Sequence, residues 1–181
     1  MILRAILLLL AAFTMGCTRQ QPPVSRKAPD FPDRLYHVYI TSSLHATLGA
    51  DWADGFHRRL GGEFSREQVV HQLQRIDLTP TGDIQFATLK QREELMAQIA
   101  NFEPETLLFV VGENEVSART EFGVTQGSLV SLWLFTPDDE ELVWGFAYAF
   151  PPSSDPVTVA DEVLRTMDRD GLLRLSTPEG G

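Results

Sequence analysis

Apolar residues recur along this chain in two periods, and the switches between them mark the elements. Leu35 to Thr41 is dense in β-branched and aromatic residues, which predicts a first strand. Leu48, Trp52, Phe56 and Leu60 then recur every fourth residue and put one apolar stripe on a helix, with Gly61-Gly62 as its predicted stop. Ala87 to Phe102 predicts a second helix, with Leu95, Met96, Ile99 and Phe102 on one side. Thr106 to Val111 is a continuous apolar run, which suits a central strand buried on both faces. Phe122 to Phe135 and Glu141 to Phe150 are two more strands. The segment Thr136 to Glu140 joins them, and Pro137 in a turn position predicts a hairpin. Val157 to Asp168 is the last helix, with Thr158 as its expected cap, Val159, Val163 and Met167 inside, and Asp170-Gly171 as its stop.

Ser65 to Leu78 reads two ways. Ser65 and Gln68 stand at capping-box spacing, and Val69, Val70 and Leu73 at helical spacing. Val69, His71, Leu73 and Arg75 also alternate as in a strand. The strand reading is preferred, because it gives the preceding helix a strand to return to. The expected fold is α/β: a single mixed sheet of about five strands with three helices, in the order β-α-β-α-β-β-β-α.

The leading segment changes the picture. Arg4 is followed by the apolar run Ala5 to Phe13, then by Gly16 and Cys17, the only cysteine. A positive residue, a short apolar stretch and a small residue at the cut describe a secretory signal. Ile2 to Met15 falls short of the roughly 20 residues a membrane span needs. Thr18 to Arg34 contains four prolines and few apolar residues, the composition of a tether without a fold of its own. Fully extended, it would reach roughly 55 Å. The expected organisation is therefore a signal over 1–16, Cys17 and a Pro-rich tether over 17–34, one domain over 35–175 and a loose tail over 176–181.

Charge narrows the partners. The chain carries −10 by formula. Arg4 is the one charge before Cys17, so the remainder carries −11. Residues 18–34 are net +2, which leaves −13 on the rest. An acidic globule on a mildly basic leash is a poor match for nucleic acid, whose phosphates need a basic face. With its one cysteine in the signal motif, the domain has no internal disulfide and depends on packing.

Catalytic and metal motifs are missing. His37, His45, His57 and His71 show no His-x-x-x-His spacing, and there is no second cysteine, so no metal or cofactor is expected. Ser42-Ser43-Leu44-His45 lacks the Gly-x-Ser-x-Gly elbow of a serine nucleophile. Asp138 to Glu141 lacks the spacing of a calcium loop. The unusual feature is the last strand. Leu142, Trp144, Phe146, Tyr148 and Phe150 alternate onto one face, opposite Val143, Gly145, Ala147 and Ala149. Trp144 is expected in the core. Tyr148, with Phe146 and Trp144 beside it, is the candidate partner face, since Trp and Tyr suit docking anchors.

The signal ending in Gly16-Cys17 resembles that of bacterial lipoproteins, and departs from their pattern at Thr14, where Leu is usual. The resemblance implies that Cys17 is acylated, palmitate included, and becomes the mature amino terminus. Because residue 18 is Thr rather than Asp, it also implies an outer-membrane protein facing the periplasm. Three segments extend the likeness: Phe102 to Val111, Glu141 to Ala147, and Met167 to Leu173. Together they resemble small envelope lipoproteins with a fold similar to the amino-terminal domain of TolB and the periplasmic core of the curli-secretion lipoprotein. That likeness implies no catalytic residue. It implies a non-catalytic binding or accessory subunit, held to the membrane by lipid, with an envelope protein or a second copy as partner. The rival expectations are a periplasmic enzyme acting on cell wall or lipid, and a subunit of a secretion pore.

Overall fold

The computed structural model describes residues 22–29, 31, 33–75, 106–120, 123–136 and 142–175. Six strands and three helices occur among them: β1 (Val24–Lys27), β2 (His37–Ser42), α1 (Leu44–Thr47), α2 (Ala50–Arg66), β3 (Val70–Arg75), β4 (Thr106–Thr120), β5 (Gly123–Phe135), β6 (Leu142–Phe150) and α3 (Pro156–Asp170). They build one mixed sheet in the order β1-β6-β5-β4-β2-β3. β2 runs parallel to β3 and to β4, while β5, β6 and β1 follow in antiparallel pairings. The single mixed α/β sheet is as expected, with one more strand and a different order. The predicted helix Ala87 to Phe102, the signal, Cys17 and the tail lie outside the described residues.

Within the described residues 65–75 the ambiguity resolves in favour of a strand that begins only at Val70, after the end of α2. β3 returns parallel beside β2 after α2. Gly61-Gly62 does not stop α2, which continues to Arg66. Two interior glycines cost about 1 kcal/mol each. Full burial of Phe64, which extends the Trp52-Phe56-Leu60 stripe by one more turn, contributes about 2–3 kcal/mol and offsets them. Gly61 also has a packing reason: a Cβ there would lie 3.0 Å from His71 Nε2, so its absence admits β3. Just past the helix, Gln68 at a φ of 60° turns the chain left-handed while the Val69 N–H closes onto the Phe64 carbonyl.

α2 and α3 cover one face of the sheet. Their inner stripes, with Phe56, Leu60 and Phe64 on α2 and Val159, Val163 and Met167 on α3, join Trp144, Phe146, Tyr148 and Phe150 of β6 in one buried core. Asp155, rather than Thr158, caps α3: its carboxylate accepts from the Thr158 N–H at 3.0 Å. Gly171 at φ 91° ends the helix as predicted. The opposite face carries a smaller apolar cluster of Tyr39, Leu107, Phe109 and Val111, with Trp133 and Phe135 against it.

Two strands depart from expectation. β4 runs on through Thr120 and pairs with β5 over a long hairpin that the sequence reading left unassigned. Val24–Lys27, inside the segment read as an unstructured tether, is a strand in four-pair register with β6, from Val24↔Ala147 to Lys27↔Trp144.

Candidate functional site

The aromatic strand is core, and this corrects the expected partner face. Trp144, Phe146 and Tyr148 are 1%, 2% and 4% exposed. The chain's own helices cover them, so they present no free face. Tyr148 was the expected surface anchor because it lies near the strand end. It is buried because α3 runs the length of the face, and burial raises its hydroxyl above the usual value. The strict alternation also breaks at one point. A register irregularity sets Phe135 opposite Leu142 and Leu134 opposite Trp144, so that Val143 enters the core and Leu142 turns outward.

The place where leash and domain meet is the most organised polar cluster described. The Trp144 indole N–H donates to Asp170 Oδ2 at 2.9 Å. Arg169 donates to the Ser25 hydroxyl at 2.8 Å and to Asp170 Oδ1 at 3.1 Å. The Lys27 ammonium donates to the Asp170 carbonyl at 3.4 Å and sits 5.1 Å from the centre of the Phe31 ring. The Ala28 N–H continues the ladder onto the Val143 carbonyl at 2.9 Å. Burial alone would raise the Asp170 carboxyl; hydrogen bonds from Ser25, Trp144 and Arg169 outweigh it and hold that group below its usual value. A four-residue edge strand is marginal by itself. Here β6 and the carboxyl end of α3 fix it from two sides.

On the sheet's other face, β1 borders an open trough of about 440 Å³. Val24, Arg26, Trp133, Leu142 and Gly145 are among its walls. Gly145 leaves the floor of the trough open beside the Trp133 ring, which lies 3.7 Å from where a Cβ would be.

The buried titratable groups brace the helices. Glu63 is 1% exposed and accepts from Arg59 at 2.9 Å and from Arg66. Arg59 also donates to Asp161 at 2.7 Å, which joins α2 to α3. Burial would raise the Glu63 carboxyl, but hydrogen bonds from Arg59 and Arg66 hold it below its usual value. His57 sits on the buried side of α2. Burial first, and then the Arg75 charge, lower it from 6.5 to about 4, against an opposing pull from Asp54. It is neutral at pH 7. Among the described residues no group of three His, Cys, Asp or Glu is placed to hold a metal ion, and no helix is long and apolar enough to cross a membrane.

No family model and no curated protein matches the chain. Among solved structures, the PelC dodecamer from Paraburkholderia phytofirmans aligns over 84% of this chain and 98% of its own, at 9% identity and a TM-score of 0.47. Lipoprotein GNA1162 from Neisseria meningitidis aligns over 75% of this chain and 96% of its own, at 8% identity and a TM-score of 0.40. Scores this low do not establish a shared fold.

Proposed function

We propose that this chain is a lipid-anchored envelope protein, facing the periplasm of the outer membrane. Its single α/β domain acts there as a non-catalytic accessory subunit that binds another envelope protein or a second copy. The supporting observation is the short distance in sequence between the anchor motif and the domain's edge strand. The signal ends at Gly16-Cys17, and the sheet's edge strand begins at Val24 and is fixed to β6 and α3. An edge strand fixed to the domain seven residues after Cys17 limits how far the domain can sit from its anchor, which suits a subunit that must meet a partner near the membrane. The described ionisable groups favour the same reading over an enzyme. Glu63, Arg59 and Asp161 are engaged in joining helices, and His57 is buried and neutral.

The pore alternative meets a length limit. The β4–β5 hairpin extends five ladder pairs beyond the end of β6, from Val116↔Gly127 to Thr120↔Gly123. A membrane-crossing strand needs roughly 9–11 residues.

Cell-surface fractionation with in-cell crosslinking tests the proposal. The wild-type chain should sediment with outer membranes and crosslink to one discrete species. Cys17→Ser should be soluble or uncut and lose that species. A Cys17→Ser chain that has lost its signal and still sediments with outer membranes would contradict the anchoring.

A further inference from the structure

The direction of β1 and the length of the β4–β5 hairpin are related, and the relation orients the molecule. β1 is antiparallel to β6, with Val24 level with Ala147. The chain therefore enters β1 from the side toward Phe150. Phe150 pairs with Ser128, and Ser128 with Asn114. Beyond that level neither β6 nor β2 accompanies the hairpin, because the β2 pairing with β4 stops at Ser42↔Val110. The leash and the projecting arm thus leave the sheet from the same end.

Their lengths match. Five arm pairs past Phe150 rise about 17 Å at ~3.4 Å per residue. Cys17 precedes Val24 by seven residues, at most about 24 Å of extended chain. About 10 Å of that is used in passing from the level of Ala147 to that of Phe150. A straight leash then places Cys17 about 14 Å beyond Phe150, no farther than the arm's tip. Pro22 and Pro23 stand directly before β1. Proline fixes its own φ, and Pro23 drives Pro22 to an extended conformation, so the chain meets β1 without a tight turn at these two residues.

We propose that the β4–β5 arm is a membrane-contacting element, with its tip at the Thr120↔Gly123 pair resting on the headgroup layer. This rests on acylation of Cys17. The surface it fits is zwitterionic phospholipid. The arm sequence past Asn114 carries Glu115 and Glu121 against Arg119, a net negative charge without a basic face, which disfavours anionic lipid. Its outer edges lack strand partners among the described residues, so it stays out of the hydrocarbon, where unpaired backbone groups are not tolerated. The lipid surface and the arm together hold the sheet upright.

The test uses full-length protein purified from membranes, carrying Thr120→Cys or, at the sheet's other end, Thr136→Cys. Each is fluorophore-labelled and placed in phosphatidylcholine vesicles containing a headgroup-nitroxide lipid. Several-fold stronger quenching at position 120 than at 136 is expected. Inserting ten Gly/Ser residues after Arg19 should erase the difference. Equal quenching in the unlengthened chain, or stronger quenching at 136, overturns the proposal. So does a dry tip at 120 that crosslinks instead to a second copy. Mass spectrometry of the same samples separates the two claims: a second label on Cys17, without acyl mass, would overturn the anchoring itself and this orientation with it.

Discussion

The indole of Trp144 and the carboxylate of Asp170, 2.9 Å apart, join the strand that pairs with the leash to the end of the helix that covers the core. Trp144 is 1% exposed, yet its one polar atom is satisfied, which is what a buried indole needs. The same carboxylate is reached by Arg169, which also holds Ser25 of β1. Core, helix end and leash therefore share one group.

Trp144→Ala should lower unfolding free energy by about 3–5 kcal/mol through the lost ring and the cavity it leaves. Trp144→Phe, which keeps most of the burial and loses the bond to Asp170, should lower it by about 1 kcal/mol. Denaturant melts of both variants check this. Tyr148→Ala should cost several times more than any surface substitution, and an unchanged melt would restore Tyr148 as a docking residue.

The β1 clasp predicts a protease pattern. Cleavage after Arg26 and Lys27 by trypsin should be slow in the folded protein, because both lie in the paired strand. Arg169→Ala removes the contact to the Ser25 hydroxyl and should speed those cuts without abolishing the fold. Immediate cleavage of the wild-type chain at both sites would mean that β1 is not held.

His57 sets a pH dependence. Its folded-state value is lowered from 6.5 to about 4, so the unfolded chain binds the proton more readily. The stabilisation is fully present above about pH 6.5 and is lost as pH falls from there toward 4, on the order of 3 kcal/mol in total. Asp54, Arg75 and His45 act on the same group. Glu63 adds in the same direction at lower pH, since its carboxyl is held below its usual value. Stability measured between pH 7 and 4 should fall in the wild type and fall less in His57→Leu.

Gly112 predicts a close approach. A Cβ there would lie 2.7 Å from Thr47 Oγ1 and 2.8 Å from Leu44 Cδ2, where α1 crosses β4. Gly112→Ala should therefore cost about 1–3 kcal/mol by overpacking, read from thermal melts. Gly62→Ala, with nothing within 4 Å and a helical position, should be neutral or stabilising.

Much of this architecture was legible because burial writes periodicity into the sequence. The β2-α2-β3 unit, the apolar start of β4, the β5–β6 pair and α3 all carry a core-facing pattern. What escaped notice lacks one. β1 has exposed or half-exposed residues throughout and flanking prolines, so its strand character comes from register with β6 and from Ser25, not from composition. The outer half of β4 has no sheet neighbour but β5 and a polar sequence, so no apolar alternation marks it. Gly61-Gly62 looked like a stop because the contact with His71 that requires Gly61 is between elements. The partner face was misplaced for a related reason. Alternation on β6 identified which side chains share a face, but not that α3 covers that face to its end, nor that the irregularity at Leu142 breaks it.

The central claim is that anchor and domain are one unit, joined at Cys17 and clasped at β1. Intact-mass and peptide mass spectrometry of the protein extracted from membranes tests it most directly. The account predicts a mature chain that begins at Cys17 and carries acyl mass on that residue. A mature amino terminus elsewhere, or an unmodified Cys17 thiol, would contradict it.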